Sequence, residues 1–422
     1  MNDLPERIVP ADWMSAAPTR TLLAALAAGG VPARFVGGCV RDAILGLKPA
    51  DIDIATPEEP QTVLRRLQAA KLKAVPTGIE HGTVTAVVPP AVFQITTLRR
   101  DVLTDGRHAV VSFGTDWAVD AQRRDFTINA LYADADGRLH DFVGGRADLA
   151  AGIVRFIGNP AERVAEDYLR VLRFFRFHAR FARGAPDAAS VAACAAAADR
   201  LGRLSGERIR DELLKILALP NAAAALALMQ ENGILASLLP EARFDAGRIA
   251  ALADLQRRWQ AQGGMEPEVW PRLAALLDRG GAEIAEAVAD RLRLSNAQRL
   301  RLAGLMAEPD FGWAAIEDTP AFRRALYHHG AERCRDRILL SAASDPSRQG
   351  LALQRLAEAT AWQRPVFPLR GSDVLAMGFS PGPTVSALLR EMEAWWADGG
   401  FQADRAACLQ HLQARVKPVA EG

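Results

Sequence analysis

The placement of β-forming residues divides this 422-residue chain in two. Short β-rich runs at residues 34–36, 51–55, 83–88, 93–98, 110–113 and 139–143 are confined to roughly the first 155 residues, and Pro89-Pro90 sits where a hairpin turn would separate two of them. Leu22, Leu23, Leu26 and Ala27 predict a helix ending at Gly29-Gly30, and Val63, Leu64 and Leu67 give residues 59–72 an apolar helical face. From about residue 160 such runs vanish. Alanine- and leucine-rich stretches at 191–198, 209–219 and 222–228 carry helical periodicity instead. Breaks at Gly184-Ala185-Pro186, Pro220-Asn221, Gly263-Gly264 and residues 365–368 are irregularly spaced, which excludes a solenoid. The expected fold is α+β: a head with a small mixed β-sheet, then an all-α remainder.

Composition narrows the class. Hydrophobic residues make up 50% and charged residues 24%, as in a folded globular protein rather than a disordered one. Cys39, Cys194, Cys334 and Cys408 lie far apart with no C-x-x-C pair, so a disulfide scaffold or zinc ribbon is excluded. Residues 1–7 lack the apolar core of a signal peptide, and no apolar run approaches the ~20 residues that span a bilayer. A reduced, soluble, cytoplasmic chain is expected. Its 51 basic and 50 acidic residues leave a net charge of +1, which taken whole does not suggest a nucleic-acid partner. Taken locally, the charge is uneven: Arg163, Arg170, Arg173, Arg176, Arg180 and Arg183 stand against only Glu166 and Asp167.

Three segments of the head carry chemistry. Asp51-Ile52-Asp53 would place two carboxylates on one face of a strand, Cα atoms about 6.5–7 Å apart, where a hard cation such as Mg²⁺ relieves their repulsion. Alone, a D-x-D is more often a solvated strand end. Upstream, Gly37-Gly38-Cys39-Val40-Arg41-Asp42 reads as a strand end, a double glycine and a helix start, a backbone that approaches phosphate closely. Arg41 would be placed to grip a phosphate oxygen bidentately. Downstream, residues 123–131 (R-R-D-F-T-I-N-A-L), read as a helix, put Arg124, Asp125 and Asn129 near one face and Phe126, Ala130 and Leu131 toward the core. The chain has neither G-x-x-x-x-G-K-[ST] nor G-x-G-x-x-G, so a P-loop NTPase or dinucleotide dehydrogenase is disfavoured. Phe174, Phe177 and Phe181 read as core packing before base stacking.

In this order the motifs resemble those of the polymerase β-type nucleotidyltransferases, and within them the class II tRNA CCA-adding enzyme and bacterial poly(A) polymerase group. The resemblance continues through D-F-V-G-G at 141–145 and Asp148-Leu149 to residues 166–177, which look like that family's E-D-x-x-R helix. A weaker likeness is L-S-G-E-R-I at 204–209.

The resemblance implies a polymerase β-like head at 1–155, a helical neck with the nucleotide-selecting helix at 156–220, a helical body at 221–355 and a tRNA-binding helical tail at 356–422. It implies that Asp51 and Asp53 hold two Mg²⁺ ions, Gly38 and Arg41 cradle a triphosphate, and Arg124, Asp125 and Asn129 contact phosphate and ribose. Asp167 and Arg170, on one helical face, would read the base edge, with Glu166 orienting Arg170 and Arg173 and Arg176 extending the nucleotide site. Segment 96–113 would be the family's flexible loop. The implied partners are tRNA, CTP and ATP, with no membrane and no partner protein. The implied reaction is template-independent addition of C, C and A to the tRNA 3′ end. A poly(A) polymerase, a partial CC- or A-adding enzyme, and a non-catalytic RNA-binding protein are the alternatives.

Overall fold

The computed structural model of the protein describes residues 6–105, 108–277, 281–308 and 310–416. Gly106 and Arg107, within the expected flexible loop, lie outside the described residues, as do the two chain ends at 1–5 and 417–422. The chain forms two compact units, Met1–Ala242 and Arg243–Gly422.

In the first unit the described strands are β1 (Arg34–Val36), β2 (Ile52–Thr56), β3 (Lys73–Gly78), β4 (Thr83–Val88), β5 (Ala91–Thr97), β6 (Arg99–Asp105), β7 (His108–Phe113), β8 (Leu131–Ala133) and β9 (Leu139–Asp141). Seven of them make one sheet in the order β3-β4-β5-β2-β1-β8-β9. Only the β2–β5 pair is parallel, so the sheet is mixed, as expected. Alternating burial along β4 (Val84, Ala86 and Val88 inward) marks a sheet with one face on the core. β3, β6 and β8 are not legible in the sequence. β3 is a largely exposed edge carrying Pro76 and Gly78, which mask strand character, and β8 is three residues long. Among the described residues β6 and β7 pair only with each other, so most of the segment expected as a flexible loop lies in two paired antiparallel strands.

β1 fixes where the functional segments meet. It runs antiparallel to both neighbours, with Phe35 opposite Ile54 of β2 and Val36 opposite Tyr132 of β8. Its C-terminal end therefore lies beside the N-terminal ends of β2 and β8. The double glycine after β1, the aspartates at the start of β2 and the residues just before β8 all emerge at one edge.

The helix that follows the sheet is docked onto this edge by aromatic packing. The helix Leu169–Phe181 buries Val171, Leu172, Phe174, Phe175 and Phe177. Phe126 of the head packs on Phe156 (ring centroids 4.8 Å), Phe177 (5.4 Å) and Phe174 (6.3 Å), and Phe156 stacks on Phe174 at 5.8 Å. Phe126 and Phe174 are wholly buried, so the expected core reading of the phenylalanine stripe holds for Phe174 and Phe177. Arg176, also buried, ties this helix to Glu212 of the helix Gly206–Leu217 at 2.6 Å.

Among its described residues the second unit has helices and connecting loops but no strand. Pro383 opens the helix Pro383–Asp398 at its first turn, and Trp396, Met392, Cys408 and Leu412 pack with Tyr327. Among the described residues no helix is long and apolar enough to cross a membrane.

Phe126→Ala is expected to cost about 3–5 kcal/mol, the usual loss for emptying a buried aromatic site. Urea unfolding of the variant measures it, and a loss below about 1 kcal/mol would show that the cluster does not hold the helix Leu169–Phe181 to the sheet.

Candidate active site

The edge at β1 opens into a cavity of about 640 Å³ lined by all twelve residues that the sequence singles out: Gly38, Arg41, Asp51, Asp53, Arg124, Asp125, Asn129, Glu166, Asp167, Arg170, Arg173 and Arg176. The turn that starts it requires glycine. Gly37 has φ +77°, and a Cβ there would lie 3.4 Å from the Asn129 carbonyl oxygen. Its N–H donates to Leu131 O at 2.9 Å, locking the turn to β8.

Two local expectations are corrected. Residues 123–131 are not a helix. The helix Trp117–Gln122 ends first, Phe126 is extended and paired with Phe156, and only a 3₁₀ turn covers Thr127–Asn129. Burying the Phe126 ring requires the extended backbone, and the Asp125 carboxylate takes the Phe126 N–H at 2.8 Å in place of a helical carbonyl. Nor do Asp167 and Arg170 share one helical face. The helix Pro160–Glu166 stops, Asp167 is extended at φ −156°, and the next helix starts at Leu169. At the break Asp167 accepts the Leu169 N–H at 3.1 Å and an Arg208 N–H at 2.7 Å, the first a local side-chain-to-backbone bond that favours non-helical backbone. Glu166 still bonds Arg170 across the break, and also Arg163 at 2.5 Å.

The Arg41 fork, expected to face a ligand, closes on Asp42 (2.6 and 2.9 Å) and also donates to Asn129. It is 4% exposed. Arg173 pairs with Asp125 at 2.6 Å. Burial alone would raise the Asp125 carboxyl, but Arg173 outweighs it and holds the group below its usual range.

This pairing isolates the D-x-D motif. Asp42, Asp125, Glu166 and Asp167 each have an arginine partner. Among the described residues, no hydrogen bond or ion pair engages the carboxylate of Asp51 or Asp53. Asp53 is desolvated, and burial pushes its carboxyl up; Arg124 opposes this and the Asp51 charge adds to it. Two adjacent, unpaired hard oxygens lining an arginine-rich cavity fit a divalent cation whose remaining ligands are water and phosphate. Among the described residues no group of three or more His, Cys, Asp or Glu side chains could hold a metal, so the pair would not form a closed all-protein cage. Cys39 is inert: burial pushes its thiol up to about 12.

Sequence reasoning misses Asp120, Tyr132 and Arg208. Asp120, 1% exposed on the helix Trp117–Gln122, binds Arg123 (2.7 Å) and Arg124 (3.0 Å) and accepts the Tyr132 hydroxyl at 2.7 Å. Burial would raise its carboxyl, but Arg124, Arg123 and Tyr132 pull it down to about 2. The available signal is an acid four residues before Arg124, the spacing of a helical ion pair. Arg208 lies within the weaker 204–209 likeness; its partner Asp167 is 41 residues away, which no local pattern reveals.

With this geometry in view, the similarities to known proteins are specific. A family model described as the poly A polymerase head domain matches residues 33–155, and another, described as a probable RNA and SrmB-binding site of polymerase A, matches 185–245. The chain is 33% identical to the mitochondrial CCA tRNA nucleotidyltransferase 1 of Mus musculus, over 90% of this chain and 86% of that one. It is 30% identical to the CCA-adding enzyme of Streptococcus sanguinis, over 96% and 98%. The crystal structure of Bacillus stearothermophilus CCA-adding enzyme in complex with CTP superposes with a TM-score of 0.74 at 28% identity, covering 95% of this chain and 98% of that one.

The folded pKa of Asp120 lies below its unfolded value of 3.8, so its stabilisation is present above pH 4 and is lost as pH falls toward 2. Asp120→Asn should therefore cost on the order of 2 kcal/mol at pH 7, the difference shrinking between pH 4 and 2. Denaturant melts at several pH values measure this; a pH-independent difference would remove the charge from the explanation.

Proposed function

The chain belongs to the family of CCA-adding tRNA nucleotidyltransferases, and from that premise we propose that it adds C, C and A to the 3′ end of tRNA, using CTP and ATP and releasing pyrophosphate. The observation that carries the reading is the unpaired Asp51–Asp53 couple in a cavity whose other acids all bind arginines. Relatives named for this activity, and one solved with CTP, support it.

When bound at Asp51 and Asp53, two Mg²⁺ ions would supply positive charge to the attacking 3′-hydroxyl and to the departing pyrophosphate. The chain's own groups would do the positioning. Gly37 and Gly38 leave the wall bare, so backbone can come close to a triphosphate. Arg124, braced by Asp120 and Tyr132, would meet phosphate, and Asn129, held beside Arg41 and Asp125, would meet ribose. Arg170, oriented by Glu166, and Asp167, held by Arg208, would offer fixed donors and acceptors to the base edge. Cytosine and adenine each present an amino donor beside a ring-nitrogen acceptor, whereas uracil and guanine invert that pattern. A wrong base would leave buried polar groups unpaired. We also propose a reducing cytoplasmic location, in keeping with four buried free thiols.

The test is extension of a tRNA lacking its 3′ end, with Mg²⁺ and each NTP singly and together. Addition of C, C and A followed by arrest supports the reading, and Asp51→Ala should abolish it without lowering the melting temperature. Long A tails would assign a poly(A) polymerase instead, and no incorporation an RNA-binding protein without catalysis. Arg170→Ala should reduce discrimination against UTP and GTP about tenfold or more while Mg²⁺ dependence stays the same. Unchanged discrimination would remove Arg170 from base selection.

A further inference from the structure

The nine arginines lining the cavity are not held alike. Eight of them donate hydrogen bonds to protein oxygens. Arg180, in the last turn of the helix Leu169–Phe181, donates none among the described residues. The carboxylate it approaches is Asp42, at 3.8 Å, too long for a hydrogen bond. Asp42 is already committed, since its other oxygen holds Arg41 at 2.6 and 2.9 Å.

Two guanidinium groups thus share one buried carboxylate and one ring, Phe181, with Arg41 4.0 Å and Arg180 5.0 Å from its centroid. Burial lowers the Arg41 pKa, Asp42 opposes the fall, and Arg180 and Arg176 add to it. The corner therefore holds surplus positive charge that the protein does not neutralise. Arg41 is buried, with each of its three nitrogens already donating to Asp42 or Asn129, whereas the Arg180 side chain is 42% exposed and turned to the cavity. An anion entering there would relieve like-charge repulsion and supply the bidentate partner that Arg180 lacks.

We propose that Arg180 is a phosphate-binding residue of this site, taking from the ligand the anion contact that the committed Arg41 does not offer. The inference rests on the nucleotidyl-transfer reading for its ligands, namely the triphosphate of the incoming nucleotide or a phosphodiester near the RNA 3′ end. Both present the same chemistry to a guanidinium.

The test reads binding, so it does not depend on transfer. Dissociation constants for CTP and for inorganic tripolyphosphate, by calorimetry, and for tRNA lacking its 3′ end, across salt concentrations, are compared in wild type, Arg180→Gln and Arg180→Lys. Arg180→Gln should weaken one ligand about tenfold. Arg180→Lys should recover most of that affinity, and both variants should melt with the wild type. Loss confined to CTP and tripolyphosphate assigns the contact to the triphosphate. Loss confined to tRNA, with a salt dependence reduced by about one phosphate contact, assigns it to the RNA backbone. Affinities within twofold for all three ligands in the Gln variant would overturn the proposal, as would a Lys variant that folds but binds no better than Gln. A wild-type chain that never extends tRNA, yet loses phosphate affinity in the Gln variant, would defeat the transfer reading and leave this one standing.

Discussion

Everything in the site depends on one buried ring. Phe126 sits between the turn that carries Arg123 and Arg124 and the helix Leu169–Phe181, packed on Phe156, Phe174 and Phe177. Its burial forces the extended backbone that turns Arg124 and Asp125 out on one side, and it anchors the helix that carries Arg170, Arg173 and Arg180 on the other. An aromatic cluster suits this role because well-packed rings resist small displacements, and a site that reads base edges tolerates little misplacement.

Charge is organised on that scaffold by pairing. The near balance of 51 basic and 50 acidic residues would not mark a nucleic-acid enzyme. Around the cavity, carboxylates hold its arginines in place: Asp120 braces Arg124, Asp125 braces Arg173 and Glu212 braces Arg176. These desolvated pairs fix direction more than they add stability, because taking both charges out of water offsets most of their attraction. Two departures remain. Asp51 and Asp53 are acids without arginines, and Arg180 is an arginine without its own acid. Both are places where charge is left for something other than the protein.

Much of this is legible in the order of the amino acids. The Gly37-Gly38 turn, the D-x-D motif and the 123–131 and 166–177 motifs fall into one cavity, and each is visible as a run of a few residues with its own chemistry. β4 and β5 are visible too, since their alternating apolar residues are a period-two signal. What fails is helical periodicity applied to short functional segments. In residues 123–131 and around Asp167, local carboxylate-to-backbone bonds compete with the helix ladder and win, and periodicity does not count such bonds. β3 escapes for another reason: a largely exposed edge strand has no apolar face to betray it.

Composition, motif order and the loss of β-forming runs after the first third determined the α+β head, the helical remainder and the residue types of the site, because these are properties of neighbouring residues. Partnership was decided only by the tertiary structure. That Arg208 holds Asp167 from 41 residues away, that Asp42 claims Arg41 and leaves Arg180 half-free, and that Asp51 and Asp53 face the cavity unpaired all follow from which side chains share a desolvated space. Electrostatic interactions there depend on distances of a few ångströms and on exclusion of water, which chain order does not encode.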